Sequence, residues 1–165
     1  MAIRQVTSIV VLPGTIAVII PLWIARRNSV AFITPHGAIS LLLVVTGVVL
    51  LLAGVALFAA CLFLFWTRGR GTLAPWDPPR RFVVEGPYRY VRNPMISGVV
   101  FVLVGEALVL RSTSHGLWAS AFALANAVYI PMVEEPMLEA RFGEPYRRYR
   151  SAVRRFVPHL RAWTP

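Results

Sequence analysis

The sequence predicts an all-α integral membrane protein with about four transmembrane helices and a C-terminal interfacial amphipathic helix. Three observations carry that expectation. Apolar residues make up 57% of the chain and charged residues 15%, whereas a soluble domain holds about 45–50% and about 25%. The apolar excess lies in runs close to the roughly 20 residues needed to cross a hydrocarbon core. Every basic side chain except histidine is arginine, and the arginines collect between the runs. Length favours a single domain over residues 1–165.

The first span is expected at about 6–25, VTSIVVLPGTIAVIIPLWIA, with a kink near Pro13 and Gly14. Arg4 ahead of an apolar stretch imitates a signal peptide. Pro13, Pro21 and the lack of a small-residue cleavage site favour a span instead. The second span is expected at about 38–66. Gly47 and Gly54, with Ala53, Ala56, Ala59 and Ala60, supply small residues for close helix packing there, and Trp66 suits an interface.

Residues 67–93 form a cytoplasmic loop whose glycines and prolines exclude a regular helix through most of it. Trp76, Phe82, Tyr88 and Tyr90 give that loop apolar anchors. A third span is expected at about 94–111, with Asn93 as cap and Pro94 at the first helical position. A brief turn at 112–116 then leads to a fourth span at about 117–133, so these two helices are antiparallel neighbours. In the tail, 134–165, Tyr146, Tyr149, Val153 and Phe156 recur at helical spacing opposite arginines. That pattern predicts a helix lying along the membrane surface and covering the loop.

Arginine placement orients the spans. With the N-terminus inside, Arg4, six arginines from 68 to 92 and seven from 141 to 161 fall on the cytoplasmic side, against Arg26, Arg27 and Arg111 outside. Both termini are therefore expected in the cytoplasm. The net charge of +10 raises nucleic acid as a partner, but no nucleic-acid motif accompanies the arginines, and none is expected to bind. Cys61 is single, and His36, His115 and His159 have no metal-ligand spacing, so neither a disulfide nor a metal site is expected.

Three polar groups meet on the inner face under this topology. They are Arg89, Tyr90, Arg92 and Asn93 before Pro94; Glu134 and Glu135 at the end of the fourth span; and Tyr146, Tyr149, Arg150, Arg154 and Arg155 in the tail. An ordinary solvated membrane edge would explain much of this. Two adjacent acids beside a bilayer are costly without partners, however. A helix opening at Asn93-Pro94 also offers free N–H groups to an anion. Glu106, inside the third span, is either a substrate contact or is bonded to Thr46, Asn126 or Tyr129.

GPYRYVRNPMISG followed by EEPMLEARFGEPYRRYRSAVRRFVP resembles the isoprenylcysteine carboxyl methyltransferase and phospholipid N-methyltransferase superfamily, over about residues 70–160. Arg92, Asn93 and Pro94 match its Arg-His/Asn-Pro element, with Ile96 where a Tyr usually follows. Glu134 and Glu135 match its glutamate pair. Phe142, Gly143, Tyr146 and Tyr149 match Phe-Gly-x-x-Tyr-x-x-Tyr, and Val153, Arg155 and Pro158 match the element after it. GTLAPWDPP at 71–79 and Asn93 resemble the bacterial branch, which implies a bacterial inner membrane.

The resemblance implies methyl transfer from S-adenosylmethionine to a lipophilic small molecule or lipid in the bilayer. Arg92, Asn93 and Pro94 would contact the cofactor, with Tyr90, Tyr146 and Tyr149 as walls. Arg150, Arg154 and Arg155 are candidates for the cofactor carboxylate or for an anionic headgroup. Glu134 or Glu135 would bind the cofactor or act on the acceptor, and Arg92 completes the catalytic set. An NADPH-dependent membrane reductase and a noncatalytic scaffold or lipid-binding subunit are the competing readings. The acceptor and the oligomeric state stay open.

Overall fold

A computed structural model describes residues 10–30, 34–69 and 82–164. The stretch GTLAPWDPP, with Trp76, and residue Arg4 lie outside the described residues. The described residues are all helix, turn and extended connection, with no strand.

A π-helical segment, Val10–Ile19, contains Pro13 and runs into α1 (Ile20–Arg27). The widened ladder is the form the expected distortion takes. Next comes α2 (Ala38–Leu64), extended by a π-type turn, Phe65–Gly69. A one-turn 3-10 helix, Gly86–Arg89, precedes α3 (Pro94–Leu110). Then α4 (Thr113–Tyr129) continues through a π-type turn, Ile130–Glu134, into α5 (Glu135–Phe142). Gly143, at φ +60°, separates this from α6 (Glu144–Ala152).

Among the described residues, two continuous helices are long and apolar enough to cross a membrane: Ala38–Arg68 and Thr113–Phe142. Only 11% of the most apolar window of the first is buried within the protein. Leu42, Leu52 and Phe63 are among its exposed side chains. Such a surface is unstable in water and suits lipid.

α2 and α3 pack through two glycine pairs. A Cβ added to Gly47 would lie 2.8 Å from the Gly105 carbonyl oxygen, and one on Gly54 would lie 2.6 Å from that of Gly98. The reverse contacts are as tight, 2.7 Å from Gly105 to Gly47 O and 3.0 Å from Gly98 to Gly54 O. Both helices repeat glycine every seven residues and run antiparallel, so the two backbones touch twice along one seam. Lipid supplies no hydrophobic force between helices, and close backbone approach takes its place. The alanines expected to share this role do not: Ala53, Ala56, Ala59 and Ala60 are exposed, because they fall on the other faces of α2.

α3 turns into α4 at Arg111, which adopts the left-handed conformation. The helix restarts at Thr113, four residues before the sequence-based start at 117. Ser112 explains the early start, since its hydroxyl accepts from the His115 N–H and caps the helix. His115 is buried, its ring bonded to Ser112 Oγ (2.8 Å) and to the Pro21 carbonyl (3.2 Å). Trp118 Nε1 donates to Ile16 O at 3.1 Å. In an i→i+5 ladder the donor for Ile16 O would be residue 21, a proline without an N–H. The indole takes its place and satisfies the carbonyl. Val99, Leu103 and Ala119 fill the space between, with Ile16, Phe58, Trp118 and Phe122 packed around them.

In the tail, α6 turns Tyr146 and Tyr149 into the protein rather than outward. Tyr146, Tyr149 and Val153 pack with Phe82, Val84, Leu138, Phe142 and Trp163. Helix α6 ends at Ala152, so Phe156 does not continue that face. The protein's own loop covers the stripe that the sequence assigns to the membrane.

Gly54→Ala and Gly98→Ala are each expected to destabilise the protein by about 1–3 kcal/mol through overpacking. Gly116→Ala should be neutral or stabilising, since nothing lies within 4 Å of its added Cβ. Chemical unfolding in detergent measures all three.

Candidate functional site

The site is built on the connection into α3. Gly86 takes φ +54°, and a Cβ there would lie 2.9 Å from Leu64 Cδ1, so glycine alone lets the loop close on the end of α2. The turn that follows drives Tyr88 against Phe65, edge-on at 5.6 Å between centroids. Its hydroxyl comes close to the buried thiol of Cys61. Residues 89–93 are then held by the tail. The N–H groups of Arg92 and Asn93 donate to Arg154 O (2.9 Å) and Arg155 O (3.2 Å), and that of His159 donates to Tyr90 O (2.9 Å). Arg89 and Trp163 exchange two more bonds, Trp163 N to Arg89 O at 2.9 Å and Arg89 Nε to Trp163 O at 2.8 Å. Tyr149 Oη donates to Tyr88 O at 2.6 Å.

Asn93 does not cap α3. Its side-chain amide donates instead to Arg155 O at 3.3 Å, so it ties the tail to the helix start. Pro94 is buried at the first helical position, as expected.

A charge network sits against this connection. Glu135 is 2% exposed. Arg155 grips it with two parallel bonds, Nε to Oε1 at 2.7 Å and Nη2 to Oε2 at 3.0 Å. Arg92 Nη1 lies 3.1 Å from Oε1, and Arg150 Nε lies 3.4 Å from Oε2. Arg150 also reaches Glu139 at 2.9 Å. Donating to the Glu135 carboxylate raises the affinity of the Arg155 guanidinium for its proton. At the buried Glu135 carboxylate, desolvation strengthens the contacts and makes a missing partner costly.

Arg92 is close to Glu135 but poorly aligned with it. Its Nε and Nη1 are buried and have no hydrogen-bond acceptor among the described residues. The neighbouring Glu134 is half-buried, with neither a hydrogen bond nor an ion pair among the described residues. Successive helical residues point about 100° apart, so only one of the two glutamates faces the arginines. Tyr146 adjoins the same charges. Burial pushes its phenol up to about 12, with Glu135 adding to the shift and Arg92 opposing it.

Of the residues selected from the sequence, Arg92, Asn93, Glu135, Arg150 and Arg155 form one connected network. Tyr146 and Tyr149 lie in the adjoining aromatic core rather than on an open wall. Tyr90 is 41% exposed and enters the network by its carbonyl alone. Glu106 stands apart. It is twelve residues along α3 from Pro94, about 18 Å at 1.5 Å per residue, and its Oε2 has no hydrogen-bond partner among the described residues. Asn126 bonds within its own helix, to Phe122 O, rather than to Glu106. Sequence reasoning missed Trp163, Glu139 and the backbone role of His159. A tryptophan near a chain end and a surface acid carry no local signal for such contacts.

Residues 38–145 match the phospholipid methyltransferase family model. The chain belongs to the phospholipid methyltransferase family. The match takes in α2, the Arg-Asn-Pro connection and both glutamates, and it ends before Tyr146, Arg150 and Arg155. No curated protein and no solved structure matches the chain significantly. Family membership and the two long apolar helices make this a membrane protein of methyltransferase type with lipid as its setting.

Glu135→Gln should cost about 3–5 kcal/mol, because it leaves Arg92 and Arg155 facing a neutral amide. Glu134→Gln should change stability by less than about 1 kcal/mol. Thermal unfolding of the two variants side by side decides between these outcomes. A second expectation concerns alkaline pH. The raised Tyr146 phenol stays protonated in both folded and unfolded chains below pH 10, so the fold is insensitive to it there. Stability then falls as pH climbs from 10 toward about 12. Comparing Tyr146→Phe with wild type across that range isolates the loss.

Proposed function

We propose that this protein transfers a methyl group from S-adenosylmethionine to a lipophilic small-molecule or lipid acceptor at the cytoplasmic face of the membrane. The observation that carries the reading is a buried, incompletely bonded arginine, Arg92, just before α3, together with an unpartnered carboxylate, Glu134, adjacent in sequence to the Glu135 that Arg92 faces. A zwitterionic amino-acid moiety needs such a pair: donors for its carboxylate and an acceptor for its ammonium. The residues present therefore fit the cofactor that the family implies.

Arg92 and the first turn of α3 would hold the cofactor carboxylate, with Asn93 fixing that turn to the tail. Tyr146 and Tyr149 would back the cofactor, and Tyr90, exposed at the rim, would border its entry. Arg150 and Arg155 would act through Glu135, holding that carboxylate and with it the geometry of Arg92. S-adenosylmethionine supplies an activated methyl group on a sulfonium, open to in-line attack. The protein's contribution is then positioning and exclusion of water. For an amine acceptor, Glu134 would take up the proton that the amine must lose before attack. A carboxylate or thiolate acceptor needs no such base.

The topology proposed with this function has four spans and both termini in the cytoplasm. Helices Ala38–Arg68 and Thr113–Phe142 both point their C-terminal ends toward the site. If both cross, α3 between them must cross back, and its 17 residues reach about 26 Å. The segment through Val10–Arg27 would be the fourth span. Glu106, near the far end of α3, could then meet only the distal part of a long acceptor. Nothing in the fold or the family match favours a reductase or a scaffold.

Methyl transfer from labelled S-adenosylmethionine into extracted membrane lipids tests the reading. Wild type should label a lipid-soluble product. Arg92→Gln should reduce kcat/KM on the order of 100-fold through lost positioning. Glu134→Gln should reduce kcat by about 10²–10⁴-fold if the acceptor is an amine. Absence of transfer, together with absence of S-adenosylmethionine binding by the intact protein, would overturn the proposal.

A further inference from the structure

With the apolar face of α6 filled from within, the described part of the tail keeps a different exposed apolar surface. Leu160 is 101% exposed, Val157 57% and Phe156 39%. Single exposed apolar residues are ordinary, but three within five positions, on a segment held this firmly, are not.

The backbone pins this segment at both ends. Arg154 and Arg155 carbonyls accept from Arg92 and Asn93, and the His159 N–H donates to Tyr90 O. The bulge between is closed on itself, since the Arg154 N–H donates to the His159 Nε2 at 3.2 Å. Residues 156–158 are thus pushed outward as a rigid knuckle. The knuckle is bonded to residues 90–93, which lead directly into the apolar helix α3. It therefore lies at the level where the hydrocarbon begins. Exposed Arg154 and Arg161 flank it, and residues 145–165 contain no acidic side chain.

We propose that residues 154–161 dock the tail onto the anionic lipid surface of the membrane that holds the helices. Phe156, Val157 and Leu160 enter the headgroup region, while Arg154 and Arg161 pair with lipid phosphates. Apolar insertion and basic charge together give stable interfacial attachment where either alone is weak. The proposal depends on the membrane placement of the chain and not on the reaction. Its consequence for the site is direct. Arg155, inside this segment, is the bidentate partner of Glu135, so lipid contact and the charge network share one rigid piece of backbone.

The test uses the full chain with a nitroxide on Leu160→Cys, reconstituted in vesicles of phosphatidylcholine alone or with phosphatidylglycerol. Cys61 is fully buried and stays unlabelled. Leu160 packs against nothing, and an unchanged thermal unfolding curve confirms that the label is benign. In vesicles with phosphatidylglycerol, collisions with oxygen should exceed those with a neutral aqueous nickel chelate. In phosphatidylcholine alone that ratio should fall, and Arg154→Gln/Arg161→Gln should remove the difference. A nitroxide equally open to the chelate in both vesicles overturns the proposal. Equal shielding in both overturns the anionic preference. Shielding that vanishes as protein is diluted into lipid assigns the patch to a second copy instead.

Discussion

One buried carboxylate organises the end of the molecule that bears the candidate site. Glu135 receives Arg155 from the tail, Arg150 from α6 and Arg92 from the connection into α3. A charge taken out of water is tolerated only when its lone pairs are met, so its partners have little freedom. That requirement ties the connection into α3 to α5, α6 and the tail, which lie well downstream in sequence. The backbone bonds from Arg92 and Asn93 to Arg154 and Arg155 follow the same path and double the attachment. Glu134 escapes because its neighbour already occupies the arginines. It is left as the acid with bonding capacity to spare.

Within the apolar bundle, polar groups obey the same rule by other means. His115 and Trp118 on α4 donate to carbonyls of the proline-containing first helix. These two bonds fasten a helix whose own ladder is interrupted. Between α2 and α3 no polar side chain is needed, because Gly47/Gly105 and Gly54/Gly98 bring backbone against backbone. Glu106 Oε2 is the exception, an acid oxygen within α3 without a partner among the described residues.

The family match and the charge network divide the chain differently. Residues 38–145 carry the Arg-Asn-Pro connection and the glutamates, whereas Arg150, Arg155 and the aromatic core around Tyr149 complete them from beyond the matched stretch. The tail is therefore a structural part of the site end rather than an appendage. Without Arg155, the most tightly held partner of Glu135 would be missing.

Sequence alone determined the helical class, the long apolar runs and several boundaries. The starts at Ala38 and Pro94 fell where hydropathy and an N-terminal proline placed them, since both signals are local. It also singled out the residues of the network, because arginines and paired acids beside apolar runs are conspicuous. The early start at Thr113 was missed because a capping hydroxyl acts through one specific bond. The helix runs on unbroken to Phe142 because prolines at 131 and 136 sit where a widened turn and a helix's first positions accept them. Tertiary structure decided the rest. It chose Glu135 over Glu134, turned the tyrosine stripe of α6 inward, and left Phe156, Val157 and Leu160 outside. A periodic pattern states that a face must be covered, and a charge states that it must be paired. Only the folded chain settles what covers the one and pairs with the other, because those partners come from segments far away in sequence.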